Sequence, residues 1–157
     1  MGLSRRSSSF HFTSMSQPAP KSPRLTKTHY EALSLLRYNL RQFLHFSQAA
    51  ARAGGISPQQ HQALLAIKGF PGRDQVSVGE IAERLNVQHH SAVGLVDRLA
   101  RRRLVRRSRA KEDRRRVCVE LTAQGQALIE RLSAVHLQEL RDIGPKLRAL
   151  LKAMDNL

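Results

Sequence analysis

Two short amphipathic helical patterns pivot on Asn86, and a strand, a basic loop and a second strand follow at once. Val78, Ile81, Ala82 and Leu85 recur at offsets of three, four and seven, so the first helix presents one apolar face. Asn86 tolerates a left-handed backbone and marks a turn. A second helix resumes from about Gln88, with Ala92, Leu95, Val96 and Leu99 as its buried stripe. At ~100° per residue the opposite face is then His90, Ser91, Gly94, Asp97, Arg98 and Arg101, with Val93 at one margin and His89 nearer the core side. Leu104 to Arg109 and Val117 to Leu121 read as strands, the second placing Val117, Val119 and Leu121 on one face and Cys118 and Glu120 on the other. This succession predicts a mainly α fold with a small β-hairpin, an α+β arrangement.

The flanks predict more helix. Thr28 with Glu31, Ser57 with Gln60 and Ser77 with Glu80 each have the spacing of a capping box, in which a hydroxyl accepts from a backbone N–H three residues on and a longer polar side chain reaches back. The first box opens a long helix to about Arg52, stopped by Gly54 and Gly55. Its Leu33, Leu36, Leu40 and Phe43 form a narrow apolar seam that needs a partner helix. Pro58 takes the favoured first position of the next helix, which buries Leu64, Leu65 and Ile67 and ends at Gly69. Thr122 caps a helix to about Ile143, Gly144-Pro145 breaks it, and Leu147, Leu150, Leu151 and Met154 form a last amphipathic helix.

Charge identifies the class of partner. The 157 residues carry 27 Lys and Arg against 12 Asp and Glu, a formal charge of +15, which implies a polyanion, nucleic acid ahead of a membrane surface. Arg101, Arg102, Arg103, Arg106, Arg107, Arg109, Lys111, Arg114 and Arg115 crowd one segment, opposed only by Glu112 and Asp113. A solvated basic face is the bland reading of such a run. Here the run is bracketed by the second short helix and the hairpin, so its charge is organised by structure. No apolar stretch approaches the ~20 residues of a membrane span. Cys118 is the single cysteine, which excludes an intramolecular disulfide and fits a reducing cytoplasm. Residues 1–27 are rich in Ser, Arg and Pro with no acidic residue, and read as a disordered basic leader within which Met15 is an alternative start.

Two short helices joined by a turn and followed by a basic hairpin make a winged helix-turn-helix pattern. In such a module the second helix enters the major groove and the wing reaches an adjacent minor groove. The motifs IAERLNV, LVDRLARRRLVRR and DRRRVCVELTAQG, the last from Asp113 to Gly125, resemble the MarR family of bacterial transcription regulators. The likeness is strongest from Ser57 to Leu132 and covers most of the chain beyond residue 28. It implies a winged unit over about 57–122 within a domain over 28–157, and a homodimer built through helices at about 28–53 and 123–157. It further implies double-stranded DNA with a palindromic site as partner, and a ligand-responsive repressor bound by a small-molecule effector.

Carried over position by position, Gln88, His89, His90, Ser91, Val93 and Gly94 fall where the family reads or touches DNA. Arg114 falls at the wing residue expected in the minor groove, and Arg115 matches a wing arginine that pairs with the helix aspartate, here Asp97. Gly94 and Val93 depart from the pattern, standing where a longer basic and a small hydroxyl residue are frequent, so base contacts must shift. Gly94 lets the helix backbone approach the bases, Val93 can meet a thymine methyl, and His90 and Ser91 can hydrogen-bond to base edges or phosphate. Arg98 and Arg101 are positioned for phosphates.

Other readings stay open beside this one. A nonspecific architectural nucleic-acid binder would use the arginines as charge alone. A redox-sensing regulator would work through Cys118, although a packed strand residue is the simpler account of that side chain. Adjacent His89 and His90 diverge around the helix and lack further ligands at metal spacing, so neither metal nor cofactor is expected. Tyr30, Tyr38, Phe43 and Phe46 are either core or the lining of a ligand cavity. No Ser-His-Asp order, Gly-rich phosphate loop or paired acid set points to an enzyme.

Overall fold

Ser57 and Ser77 cap their helices as the sequence predicts. In a computed structural model that describes residues 25–109 and 117–155, the Ser57 N–H donates to Gln60 Oε1 at 2.9 Å and the Gln60 N–H to Ser57 Oγ at 3.2 Å. Ser77 and Glu80 exchange the same pair of bonds at 2.8 and 3.3 Å. The first helix differs: its cap is Thr26, whose hydroxyl accepts from His29 N while His29 Nδ1 accepts from the Thr26 N–H. Imidazole here does the work of the Glu or Gln that the rule looks for, so Thr28 lies inside the helix and Glu31 instead pairs with Lys27 one turn back.

The elements run α1 (Lys27–Ala53), α2 (Pro58–Lys68), β1 (Val76–Ser77), α3 (Val78–Leu85), α4 (His89–Arg101), β2 (Val105–Arg109), β3 (Val117–Leu121) and α5 (Ala123–Asp155). The expected hairpin is the larger part of a three-stranded antiparallel sheet in the order β1-β3-β2. Val119 lies between Val76 and Arg107, and Cys118 between Ser77 and Ser108. The two-residue β1 is too short to show a period in sequence. The mainly α fold with a small β wing and long terminal helices is therefore the observed one.

One core joins the winged part to the long helices. Leu64 and Ile67 of α2, Ile81 of α3, Val96 and Leu99 of α4, Val119 of β3 and Ile129 of α5 are all essentially excluded from solvent. Fully burying a side chain of this size contributes about 1.5–3 kcal/mol, so α2, shared by both parts, is central to holding them together. Leu65 does not join this core: the buried stripe of α2 runs through Gln60, His61, Ala63, Leu64 and Ile67, and Leu65, ~100° around from Leu64, is 46 % exposed. Val117 is also exposed, because β1 reaches only as far as Cys118 and leaves the first residue of β3 uncovered on that side.

Two turns require special backbone. Asn86 ends α3 at φ 51° and ψ 50°, the left-handed conformation expected of it, and Arg103 adopts φ 57° between α4 and β2. The predicted break at Gly144-Pro145 does not occur, and α5 runs through both residues. Pro145 forfeits one helical hydrogen bond and crowds the preceding turn, a cost of roughly 3 kcal/mol. The apolar positions nevertheless stay in phase across it, from Ile143 through Leu147 to Leu150, and Leu150 is buried.

Candidate nucleic-acid interface

The left-handed turn at Asn86 sets α4 against α3, and the apolar stripe of α4 then determines which side faces outward. Ala92, Leu95, Val96 and Leu99 are buried, as their spacing predicts. Gln88 is the N-cap, in extended conformation and making no side-chain cap bond, so the helix proper begins at His89. His89, His90, Ser91, Arg98 and Arg101 are exposed, and Val93, Gly94 and Asp97 half-buried. The expected face therefore forms, with His89 on its outer side and not toward the core. A Cβ built on Gly94 would meet only Arg98 Nη1, at 3.5 Å, so the middle of this surface is shallow and open.

Asp97 is tied to the wing by β2. Arg107 Nη2 donates to Asp97 Oδ1 at 2.5 Å, and Arg101 Nε donates to the Asp97 backbone carbonyl at 3.4 Å. The expected partner Arg115, with Arg114, lies outside the described residues. Among those described, the ion-pair partner of Asp97 is Arg107, within the same LVDRLARRRLVRR motif but on the next element. A carboxylate on a phosphate-facing surface is repelled by phosphate unless neutralised, and this pairing removes that penalty. Both side chains stay partly exposed, so the contact orients more than it stabilises.

Among the described residues, two further arginines of the run are held by side-chain partners. Arg106 Nε donates to Glu120 Oε1 at 2.7 Å across the β2–β3 ladder, and Gln75 Nε2 holds the other oxygen of Glu120 at 3.0 Å. Arg102 Nη1 reaches Gln60 Oε1 at 3.4 Å. Arg106 therefore ties the two wing strands together, Arg107 ties the wing to α4, and Arg98 and Arg101 carry charge on the helix face. Cys118 is buried in the centre of the sheet.

The foot of the wing explains the Leu-Thr-x-x-Gly part of its motif. Thr122 Oγ1 donates to the Arg103 carbonyl at 2.6 Å and accepts from the Gly125 N–H at 3.1 Å, while the Thr122 N–H donates to the Leu104 carbonyl at 3.1 Å. A Cβ on Gly125 would fall 1.9 Å from the Leu104 oxygen. Only glycine allows the first turn of α5 to close on the start of β2.

A second polar feature lies behind the interface and was not legible in sequence. Phe43 and Phe46 of α1 meet His136 of α5 edge-on, and His136 stacks on His61 of α2 with ring centroids 4.6 Å apart. Tyr30 and Tyr38, the other aromatics considered as cavity lining, are exposed. On α3, Glu80 is held below the ordinary carboxylate range, first by the Ser77 backbone N–H and then by the Arg73 and Ser77 side chains, against the opposing effect of burial. Among the described residues no three His, Cys, Asp or Glu side chains converge as a metal site, and no helix is long and apolar enough to cross a membrane.

Comparison with known proteins agrees with this architecture. Residues 54–116 match the sequence model of the MarR family. The HTH-type transcriptional repressor YetL of Bacillus subtilis is 33% identical over 87 residues, 55% of this chain and 51% of that protein, so the chain matches about half the length of this relative. Among solved structures, a MarR family protein from Bacillus stearothermophilus superposes with a TM-score of 0.67 at 24% identity, covering 82% of this chain and 94% of the other. A mutant MepR of S. aureus, bound to an oligodeoxyribonucleotide, gives a TM-score of 0.61 at 19% identity over 79% and 95% of the two chains. With its winged helix-turn-helix set between long terminal helices, the chain has the fold of these MarR family proteins, and its residues 54–116 match that family's sequence model.

Proposed function

We propose that this chain is a sequence-specific double-stranded DNA-binding transcription regulator that acts in the cytoplasm as a homodimer on a palindromic operator. The observation that carries this reading is the outward face of α4, where imidazole and hydroxyl groups at its amino-terminal end are followed by Arg98 and Arg101. Phosphate contacts supply affinity and base-edge contacts supply choice. Gln88, His89, His90, Ser91, Val93 and Gly94 read or touch the major groove, Arg98 and Arg101 hold phosphates, and Arg114 and Arg115 belong to the wing. MepR, a protein of the same fold, is solved with an oligodeoxyribonucleotide, which supports DNA as the partner.

The dimer is supported by apolar surface left over on the long helices. Leu33, Leu35, Leu40 and Leu44 of α1 and Leu137, Leu140 and Leu151 of α5 are between 39 and 56 % exposed. Leu33, Leu40 and Leu44 share one face of α1 at ~100° per residue; exposed apolar surface of this kind marks an interaction site, and a second copy would bury it with two-fold symmetry, placing the half-sites about one helical turn apart. The winged unit over about 57–122 then projects from dimerisation helices at 28–53 and 123–157.

The regulator acts as a repressor, released by a small-molecule effector that binds the free conformation better than the DNA-spaced one. Competition of selected operator against bulk DNA at fixed salt tests the DNA reading: a specificity ratio of ~1000 or more supports it, and a ratio near one favours a nonspecific architectural binder. Titration with hydrophobic and phenolic acids tests the effector, and unchanged operator affinity throughout counts against it.

A further inference from the structure

We propose that the stacked imidazoles of His61 and His136 form a proton-sensitive latch between the winged unit and the long helices, which acidification opens, weakening DNA binding. The inference rests on the DNA-binding reading above. His61 belongs to α2, the helix whose other side chains pack beneath α3 and α4, and His136 belongs to α5. Both are buried, at 3 and 8 % exposure, and the rings are nearly parallel at 25°. The pair therefore sits on the joint between α2 of the winged unit and α5 of the long helices.

The hydrogen bonds around His136 suit the ring whether neutral or charged, and a charge on it opposes one on His61. His136 Nδ1 lies 2.6 Å from the Leu132 carbonyl, which can only accept, so that nitrogen carries the hydrogen. Nε2 lies 2.8 Å from Ser47 Oγ of α1 and accepts its hydroxyl when the ring is neutral, and the same hydroxyl can turn to accept when the ring is charged. His136 thus keeps its bonds in either state. His61 faces the stack, and the groups brought to the pair are Phe43, Phe46 and Ser47 from α1, Leu132 and His136 from α5 and His61 from α2. Among the described residues no carboxylate pairs with either ring.

Burial, and then the charge of His136, hold His61 below the ordinary histidine value. The unfolded chain, or a conformation with the joint open, therefore takes up the proton first. The stability contributed by a neutral His61 is fully present above about pH 6.5 and is lost as pH falls through the lowered value. In the closed joint two charged rings would face each other with no counter-ion, so protonation favours separation of α2 from α5.

The test uses the full chain and measures both thermal midpoint and affinity for selected operator DNA at about pH 7.5 and about pH 5.5, in wild type and in His61→Phe. The variant keeps a flat ring against His136 and removes the second proton site. Any effect of acidification on the DNA-facing surface itself is common to both proteins, so the comparison is between proteins at each pH. Wild type is expected to lose operator affinity on acidification by about fivefold or more relative to the variant, together with a larger fall in thermal midpoint. His136→Gln, which retains a donor and an acceptor, should show the same relief and serves if His61→Phe does not fold. Parallel pH profiles in wild type and folded variants, with DNA binding intact, overturn the latch. Absence of selective DNA binding at about pH 7.5 overturns instead the reading on which it rests.

Discussion

Arg107 of β2 reaches across to α4 and binds the carboxylate of Asp97 at 2.5 Å, joining the wing to the helix that carries the outward polar face. Neither partner is deeply buried, so the pair contributes only about 0–1 kcal/mol to folding. Its consequence is geometric: it ties the wing to α4 and, on the proposed reading, cancels a negative charge on the surface that approaches phosphates.

Asp97→Ala and Arg107→Ala should therefore leave the urea midpoint nearly unchanged while lowering operator affinity. A double-mutant cycle on DNA binding should give an interaction energy of roughly 0.5–3 kcal/mol. Strictly additive effects would show that the two side chains act independently.

Arg98→Ala and Arg101→Ala should weaken binding to every sequence alike, each lowering the slope of log K against log salt by about one. Arg114→Ala should do the same if the wing meets phosphate, and should also relax preference at one end of each half-site if it enters the minor groove. His90→Ala or Ser91→Ala should instead reduce the ratio of specific to bulk affinity, at about 1–3 kcal/mol for each lost base contact. Fluorescence anisotropy over a salt series separates the two classes.

Gly125→Ala should destabilise the fold by about 3 kcal/mol or more, because the new Cβ would meet the backbone oxygen of Leu104, which cannot swing aside as a side chain could. Gly144→Ala, with nothing within 4 Å of its Cβ, should be neutral or stabilising by up to about 1 kcal/mol. Paired urea denaturations decide, and equal midpoints for the two variants would contradict the assigned role of Gly125.

Glu80 should make stability acid-sensitive. Its carboxyl is held below the ordinary value by Ser77 and Arg73, so its contribution is full above the unfolded value of about 4.5 and declines as pH falls through the lowered one. Glu80→Gln preserves the capping geometry and removes the charge. Its thermal midpoint should therefore fall less between about pH 5 and about pH 3 than that of wild type.

Much of this was legible in the chain because it is local. The stripe of Ala92, Leu95, Val96 and Leu99, the left-handed Asn86 and the boxes at Ser57 and Ser77 each follow from spacing within a few residues. What stayed hidden depends on distant partners or on rules satisfied by an unusual residue. His29 closes the first capping box where Glu or Gln is the usual signal. Leu65 is as apolar as Leu64, and only the packing of α2 decides which of them is buried. Pro145 is a strong stop signal, overridden where the apolar seam continues in register. The pairing of Asp97 with Arg107, and of His61 with His136, depends on how elements meet, which periodicity does not encode.

Replacing Leu33 and Leu40 of α1 together by Glu should convert the protein to monomer in sedimentation equilibrium and abolish tight operator binding, while the winged unit keeps its helical circular dichroism. Both leucines are more than two-fifths exposed in the single chain, so a loss of fold in place of a loss of association would contradict their assignment to the dimer surface.

The central claim is that the face of α4 chooses among DNA sequences and does not merely attach to phosphates. Sequencing the fragments that purified protein selects from a random duplex library tests it most directly. The account predicts an enriched palindrome with half-sites about one helical turn apart, and loss of that enrichment in His90→Ala and Ser91→Ala. Recovery of fragments with no shared motif, bound as tightly as bulk DNA, would contradict it.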